Sequence, residues 1–163
     1  MNTKTMTIED NLRLLHLGLL ETPRPLGDYV PAMEAGNLLF VNGMLPIRNG
    51  AASFVGRVGE ELSIESGRKA AQLAVVNALA VARDAVGLSR LAGVARIGVH
   101  IACAPDFQQH AAIADAASEL LNEVFEGSRH SRLAFGNSSL PGGMPVELEV
   151  IFLLHPQERS VTP

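Results

Sequence analysis

The chain has 163 residues, 47% hydrophobic and 18% charged, which suits one domain that buries about two-thirds of its unfolded surface in a single core. Aromatics are 4% and tryptophan is absent, so Val, Leu, Ile and Ala must fill that core. A net charge of −4 argues against a nucleic-acid partner, one cysteine excludes an internal disulfide framework, and no stretch reaches the roughly 18 apolar residues of a membrane span.

Residues 1–10 carry one Lys and no apolar run, so they do not read as a secretory signal, and a cytoplasmic location is expected. Thr7-Ile-Glu-Asp10 resembles a capping box with Asp in place of Glu. Ile8, Leu12, Leu15 and Leu19 then fall near helical spacing, which predicts a helix over about 7–20. Pro23 and Pro25 bar its continuation. Tyr29 to Met33 reads as a short extended piece. Leu38 to Val41 reads as a strand between the Gly36-Asn37 and Asn42-Gly43 turns. A second strand around Ser53 to Arg57 would return against it as a hairpin spanning Phe40 to Val55.

Ser63 to Val86 is the strongest helix pattern. Ser63 suits the N-cap, Glu65 suits the first turn, and Ala70, Leu73, Ala74, Asn77, Ala78, Val81 and Ala85 recur at three and four until Gly87. Val94 to Cys103 reads as a strand. Asp106 to Phe125 reads as a third helix with Ile113, Ala117, Leu120, Leu121 and Val124 as its buried stripe. Leu133 to Phe135 reads as a short strand and Val146 to Leu154 as the most β-like one. Residues 1–155 are expected to form one domain and 156–163 a flexible tail. Helices alternating with strands, with hairpins at both ends, predict an α+β fold: a mixed β-sheet with helices packed on one face. The bare apolar face then calls for a partner, and oligomerisation is expected.

The five histidines and Cys103 show no metal-ligand spacing. Cys103 reads either as a small buried hydrophobe or as a nucleophile, and the second needs a partner that the sequence does not reveal. Ser138-Ser139 lies in a Gly-rich stretch without the context of a nucleophile elbow and reads as a turn. Glu147 and Glu149 alternate with Val146, Leu148 and Val150, so both acids share one strand face, either as a solvated face or as a functional pair. Arg132 opens a short apolar strand, either as a surface cation or as a grip on a planar carboxylate.

Ser131-Arg-Leu-Ala-Phe-Gly-Asn-Ser-Ser-Leu-Pro141, followed by Val146-Glu-Leu-Glu-Val150, resembles the C-terminal signature of the Rid family, the reactive intermediate deaminases also called YjgF-type or endoribonuclease L-PSP proteins. Gly27-Asp-Tyr29 and Gly36-Asn-Leu-Leu-Phe-Val-Asn-Gly43 are similar to its upstream segments, and Ala104-Pro-Asp-Phe107 to a longer bacterial branch. The resemblance implies a chorismate-mutase-like fold of the bacillus type and a homotrimer with clefts between subunits. It also implies hydrolysis of 2-imino or enamine acids to 2-keto acids and ammonia, without metal or organic cofactor. The alternatives are a non-catalytic protein of the same fold that binds a small carboxylate or metabolite and, less favoured by an acidic chain with one tyrosine and no tryptophan, an endoribonuclease. By the same resemblance Arg132 would bind the substrate carboxylate and Glu147 would activate water. Tyr29, Gly43, Met44, Phe107 and Ala134 would line the pocket. Three residues depart from the family pattern. Met44 replaces a glutamine, Ala134 replaces a cysteine, and Asp115 stands where an asparagine is common. The implied partners are a small carboxylate or imine metabolite and two further copies of the chain.

Overall fold

The structure is a computed structural model that describes residues 6–19 and 21–156. The expected tail therefore lies outside the described residues except for Pro156. Helix α1 spans Ile8–Leu14, β1 Ala32–Ala35, β2 Leu38–Met44, β3 Ile47–Arg48, β4 Ala51–Ala52, α2 Ile64–Val86, β5 Leu91–Ala102, α3 His110–Val124, β6 Ser131–Asn137 and β7 Val146–Leu154. Five strands form one sheet in the order β1-β2-β7-β5-β6, and β3 and β4 pair separately. β5 and β6 are parallel; the other neighbours in the sheet are antiparallel. α2 packs across β7 and β2, while α3 packs on α2 and over β5 and β6. This is the α+β arrangement expected, a mixed sheet with helices on one face.

The period of two in a strand explains how β7 organises the core. Val146, Leu148, Val150, Phe152 and Leu154 are buried under the helices, and the residues between them face the other side. With few aromatics available, the helices approach closely through alanine. Ala70, Ala71, Ala74, Ala78 and Ala82 of α2 are fully buried. At Gly67 even a methyl group would come within 2.7 Å of Ile113 Cδ1 on α3, so the absence of a side chain there sets the helix–helix approach. Ser63 caps α2 by accepting a hydrogen bond from the Ser66 N–H.

Four boundaries differ from the sequence pattern. The capping box at Thr7 and Asp10 forms, but α1 ends at Leu14. His16 adopts φ 54° and the Leu17 N–H reaches back to the Leu12 carbonyl, a Schellman-type closure. Ser53 to Arg57 does not pair with β2, because both edges of β2 are taken by β1 and β7. Instead the chain makes its own small hairpin through Asn49-Gly50, whose φ values of 53° and 75° suit a tight primed turn. The extended piece forms later than Tyr29, at Ala32. α3 starts at His110 rather than Asp106, since Ala104 to Phe107 closes a turn in which the Phe107 N–H bonds to the Ala104 carbonyl.

Asn77 is the fully buried polar residue of α2, and its Nδ2 donates to the carbonyls of Leu45 (2.8 Å) and Ile47 (2.9 Å). It ties the end of β2 to the helix layer. Asn77→Ala leaves both carbonyls without this donor, and urea unfolding should show a loss of about 2 kcal/mol. An unchanged midpoint would mean that those carbonyls find other partners.

Candidate functional site

The polar groups that could form a site stand in two separate places. The first lies where β2 and β7 diverge. The pairing of the two strands shifts between Val41 and Met44, so Asn42 and Gly43 form a bulge opposite the start of β7. Gly43 holds φ 68°, and a Cβ built there would sit 3.3 Å from Glu147 Oε1 and 3.6 Å from the Tyr29 hydroxyl. The glycine thus lets a carboxylate and a phenol converge over bare backbone. A cavity of about 420 Å³ opens there, bounded by Leu26, Tyr29, Gly43, Leu45, Pro141 and Glu147.

The second place lies between β6 and α3, on the helix side of the sheet. Arg132 Nη1 donates to Asp115 Oδ1 at 2.8 Å and to Ser118 Oγ at 3.1 Å. Ser118 also meets His130 Nε2 at 3.0 Å. The Ser118 oxygen accepts from the arginine and shares a further hydrogen bond with His130 Nε2. Burial, helped by the Arg132 charge, lowers the His130 pKa and keeps the ring neutral. Among the described residues, the side-chain hydrogen bonds of Arg132 come from Nη1 alone. Nη2 and Nε remain as the parallel pair that grips a carboxylate.

Glu147 and Arg132 are not brought together within one chain. In register Glu147 lies opposite His100, whose ring stacks on Phe135 at 4.8 Å on the helix-free face. Arg132 alternates with Leu133 and Phe135 and points to α3. Tyr29 and Gly43 join Glu147, while Ala134 lies beside Arg132 on the same strand face. Met44 is a correction. Its side chain is 4% exposed in the core, because the bulge at Asn42-Gly43 turns it back beneath the helices. Phe107 lines a different cavity, with Cys103 and His110. Glu149 is paired with Arg96 on the bare face. Among the described residues, no three His, Cys, Asp or Glu side chains gather as a cation would require, and no helix is long and apolar enough to cross a membrane.

Sequence reasoning missed Ser118 and His130. Neither stands in a motif. The available signal was the position of Ser118 on α3, three residues after Asp115, which puts the two on one face toward β6.

A family model described as "YjgF/chorismate_mutase-like, putative endoribonuclease" matches residues 9–154. Protein TCP17 of Trypanosoma cruzi is 30% identical over 148 residues, covering 89% of this chain and 92% of that protein. Among solved structures, Atu1372 of Agrobacterium tumefaciens, of unknown function, is 34% identical with a TM-score of 0.84, covering 91% of this chain and 92% of its own. A Shewanella oneidensis protein with the endoribonuclease description is 30% identical with a TM-score of 0.88, covering 91% and 100%.

The lowered His130 pKa has a definite consequence. The unfolded chain titrates near the ordinary 6.5, and the folded chain at a lower pH. Between the two the unfolded state holds more protons, so stability rises with pH there. Urea midpoints should fall as the pH drops below about 6.5, and His130→Gln should flatten that part of the curve. Parallel curves for the two proteins would remove the buried neutral histidine from the account.

Proposed function

The chain belongs to the YjgF/chorismate mutase-like family, and from that membership we propose that it hydrolyses small 2-imino acids to 2-keto acids and ammonia. The observation that carries this reading is the arginine at β6, fixed through one nitrogen by Asp115 and Ser118 and presenting the rest of its guanidinium for a carboxylate. The complementary half is the Glu147–Tyr29 cavity over Gly43. We further propose that neighbouring copies in a homotrimer join one half to the other. Leu133, Phe135, Leu153 and Met33 are all at least 37% exposed, and the strand registers set them on the helix-free face, which gives such an assembly an apolar surface to cover.

The chemistry asks little of the protein beyond position. A protonated imine carbon is already electrophilic. Arg132 holds the carboxylate by two parallel charge-assisted bonds and so fixes that carbon. Glu147 accepts a proton as water adds, giving a tetrahedral carbinolamine. The same carboxyl returns the proton to the departing nitrogen and then, as the C–N bond breaks, its carboxylate takes the hydroxyl proton, so ammonia leaves and the carbonyl forms. Tyr29 can hydrogen-bond the attacking oxygen or the nitrogen.

The test generates 2-iminopropanoate from alanine with an amino-acid oxidase and follows its decay. The protein should accelerate decay, Glu147→Gln should slow it by about 10²-fold or more, and Arg132→Ala should lower it comparably by releasing the carboxylate. Light scattering should give the mass of three chains. Co-expressing the two inactive variants should restore up to about a quarter of the activity, the share of sites that random association assembles from two intact halves. Decay equal to buffer would overturn the hydrolytic reading. Activity without complementation would overturn the shared site alone.

A further inference from the structure

Cys103 and His110 stand outside the machinery just described. Cys103 follows the last residue of β5 and His110 opens α3, and the turn between them folds back so that Sγ lies 3.6 Å from Nε2. The pair sits over Gly136 of β6, where a methyl group would come within 2.5 Å of His110 Nε2 and 3.3 Å of Cys103 Sγ. The Phe107 ring meets the imidazole edge-on at 5.3 Å and fixes its plane. Around the pair opens a cavity of about 380 Å³, lined also by Arg57, Asn137 and Ser138. Asn137 Oδ1 beside it is buried and, among the described residues, has no hydrogen-bond partner.

We propose that Cys103 and His110 form a nucleophile–base pair that captures a small carbon electrophile bearing an anionic group. Burial pushes the Cys103 thiol up, while the backbone at Asn137 and the Arg57 charge pull the other way. A standing thiolate is therefore not the reactive form. The imidazole takes the proton as the sulfur attacks, as in a serine–histidine pair. The charged groups nearby are Arg57, whose guanidinium is held by Glu60, Glu61, which accepts from the Arg57 N–H, and Asp106 on the turn before α3. Arg57 supplies the attraction for the anion. The inference does not rest on imine hydrolysis or on assembly, and its test reads neither.

Cys103 is the sole cysteine, so one mass adduct on the full-length protein reports on it. The probes are iodoacetate and iodoacetamide. With either one the S–C bond forms, iodide leaves with the C–I pair, and the thiol proton passes to Nε2. In the folded protein the reaction should proceed at pH values below those at which the raised thiol ionises. His110→Gln should slow both reagents by about tenfold or more. The ratio of iodoacetate to iodoacetamide rates should exceed that of the urea-unfolded chain, and Arg57→Gln should bring it back. A folded rate that rises only with thiol ionisation and ignores His110→Gln would overturn the pair and leave a buried hydrophobe. A ratio equal to that of the unfolded chain would overturn the anion preference.

Discussion

The alternation of β7 is the constraint from which the rest follows. Its nine residues lie between β2 and β5, with one face under the helices and the other bare. Shifting the register by one residue would drive Glu147 and Glu149 beneath α2 and expel Val146, Leu148 and Val150. Burial of that apolar set therefore fixes where the two carboxylates stand. The neighbouring charge then separates their roles. Glu149 is answered by Arg96 across the strand pair, whereas Glu147 lies beside the bulge of β2 and faces Gly43 and Tyr29. The same strand yields one structural carboxylate and one available to chemistry.

Arg132 shows a related balance. A guanidinium held by Asp115 and Ser118 loses less rotamer freedom when it takes a ligand, because the side chain is already ordered. The partner carboxylate also offsets part of its charge, so a second carboxylate is drawn less strongly than to a bare arginine. Asparagine in place of Asp115 would order the side chain without that opposing charge. The sequence thus places this site toward orientation and away from raw affinity. His130 extends the order outward through its hydrogen bond with Ser118, the hydroxyl that also accepts from the arginine.

What could be read in advance was what periodicity determines. α2 and β7 were legible because each repeats its pattern over many residues, and Ser63 and Gly87 mark the ends of the helix. The hairpin after β2 was not, since local pattern cannot say which strand occupies an edge. β7, more than a hundred residues later, takes the place that Ser53 to Arg57 would have filled. Met44 failed for a smaller reason. One extra residue at Asn42-Gly43 reverses every later side chain of that strand, and no spacing announces a bulge. Arg132 and Glu147 stood out as candidates from strand alternation and charge, while Tyr29 and Gly43 entered only through family resemblance. Cys103 and His110 were invisible as a pair, because seven residues across a turn form no motif until the turn's path is known.

The separation of Arg132 from Glu147 follows from these same strands. A helix-side residue on β6 and a bare-side residue on β7 cannot meet across a packed sheet, whatever rotamers they adopt. β6 is an edge strand, and its outward apolar residues, Leu133 and Phe135, alternate with Arg132 and Ala134. A chain docking its own bare face against such an edge would bury both kinds of residue at once, bringing a glutamate cavity toward a neighbouring arginine. An interface built on this pattern makes the site and the assembly a single structure. In the proposed assembly, covering that apolar face is what would join the half-sites left exposed in one chain.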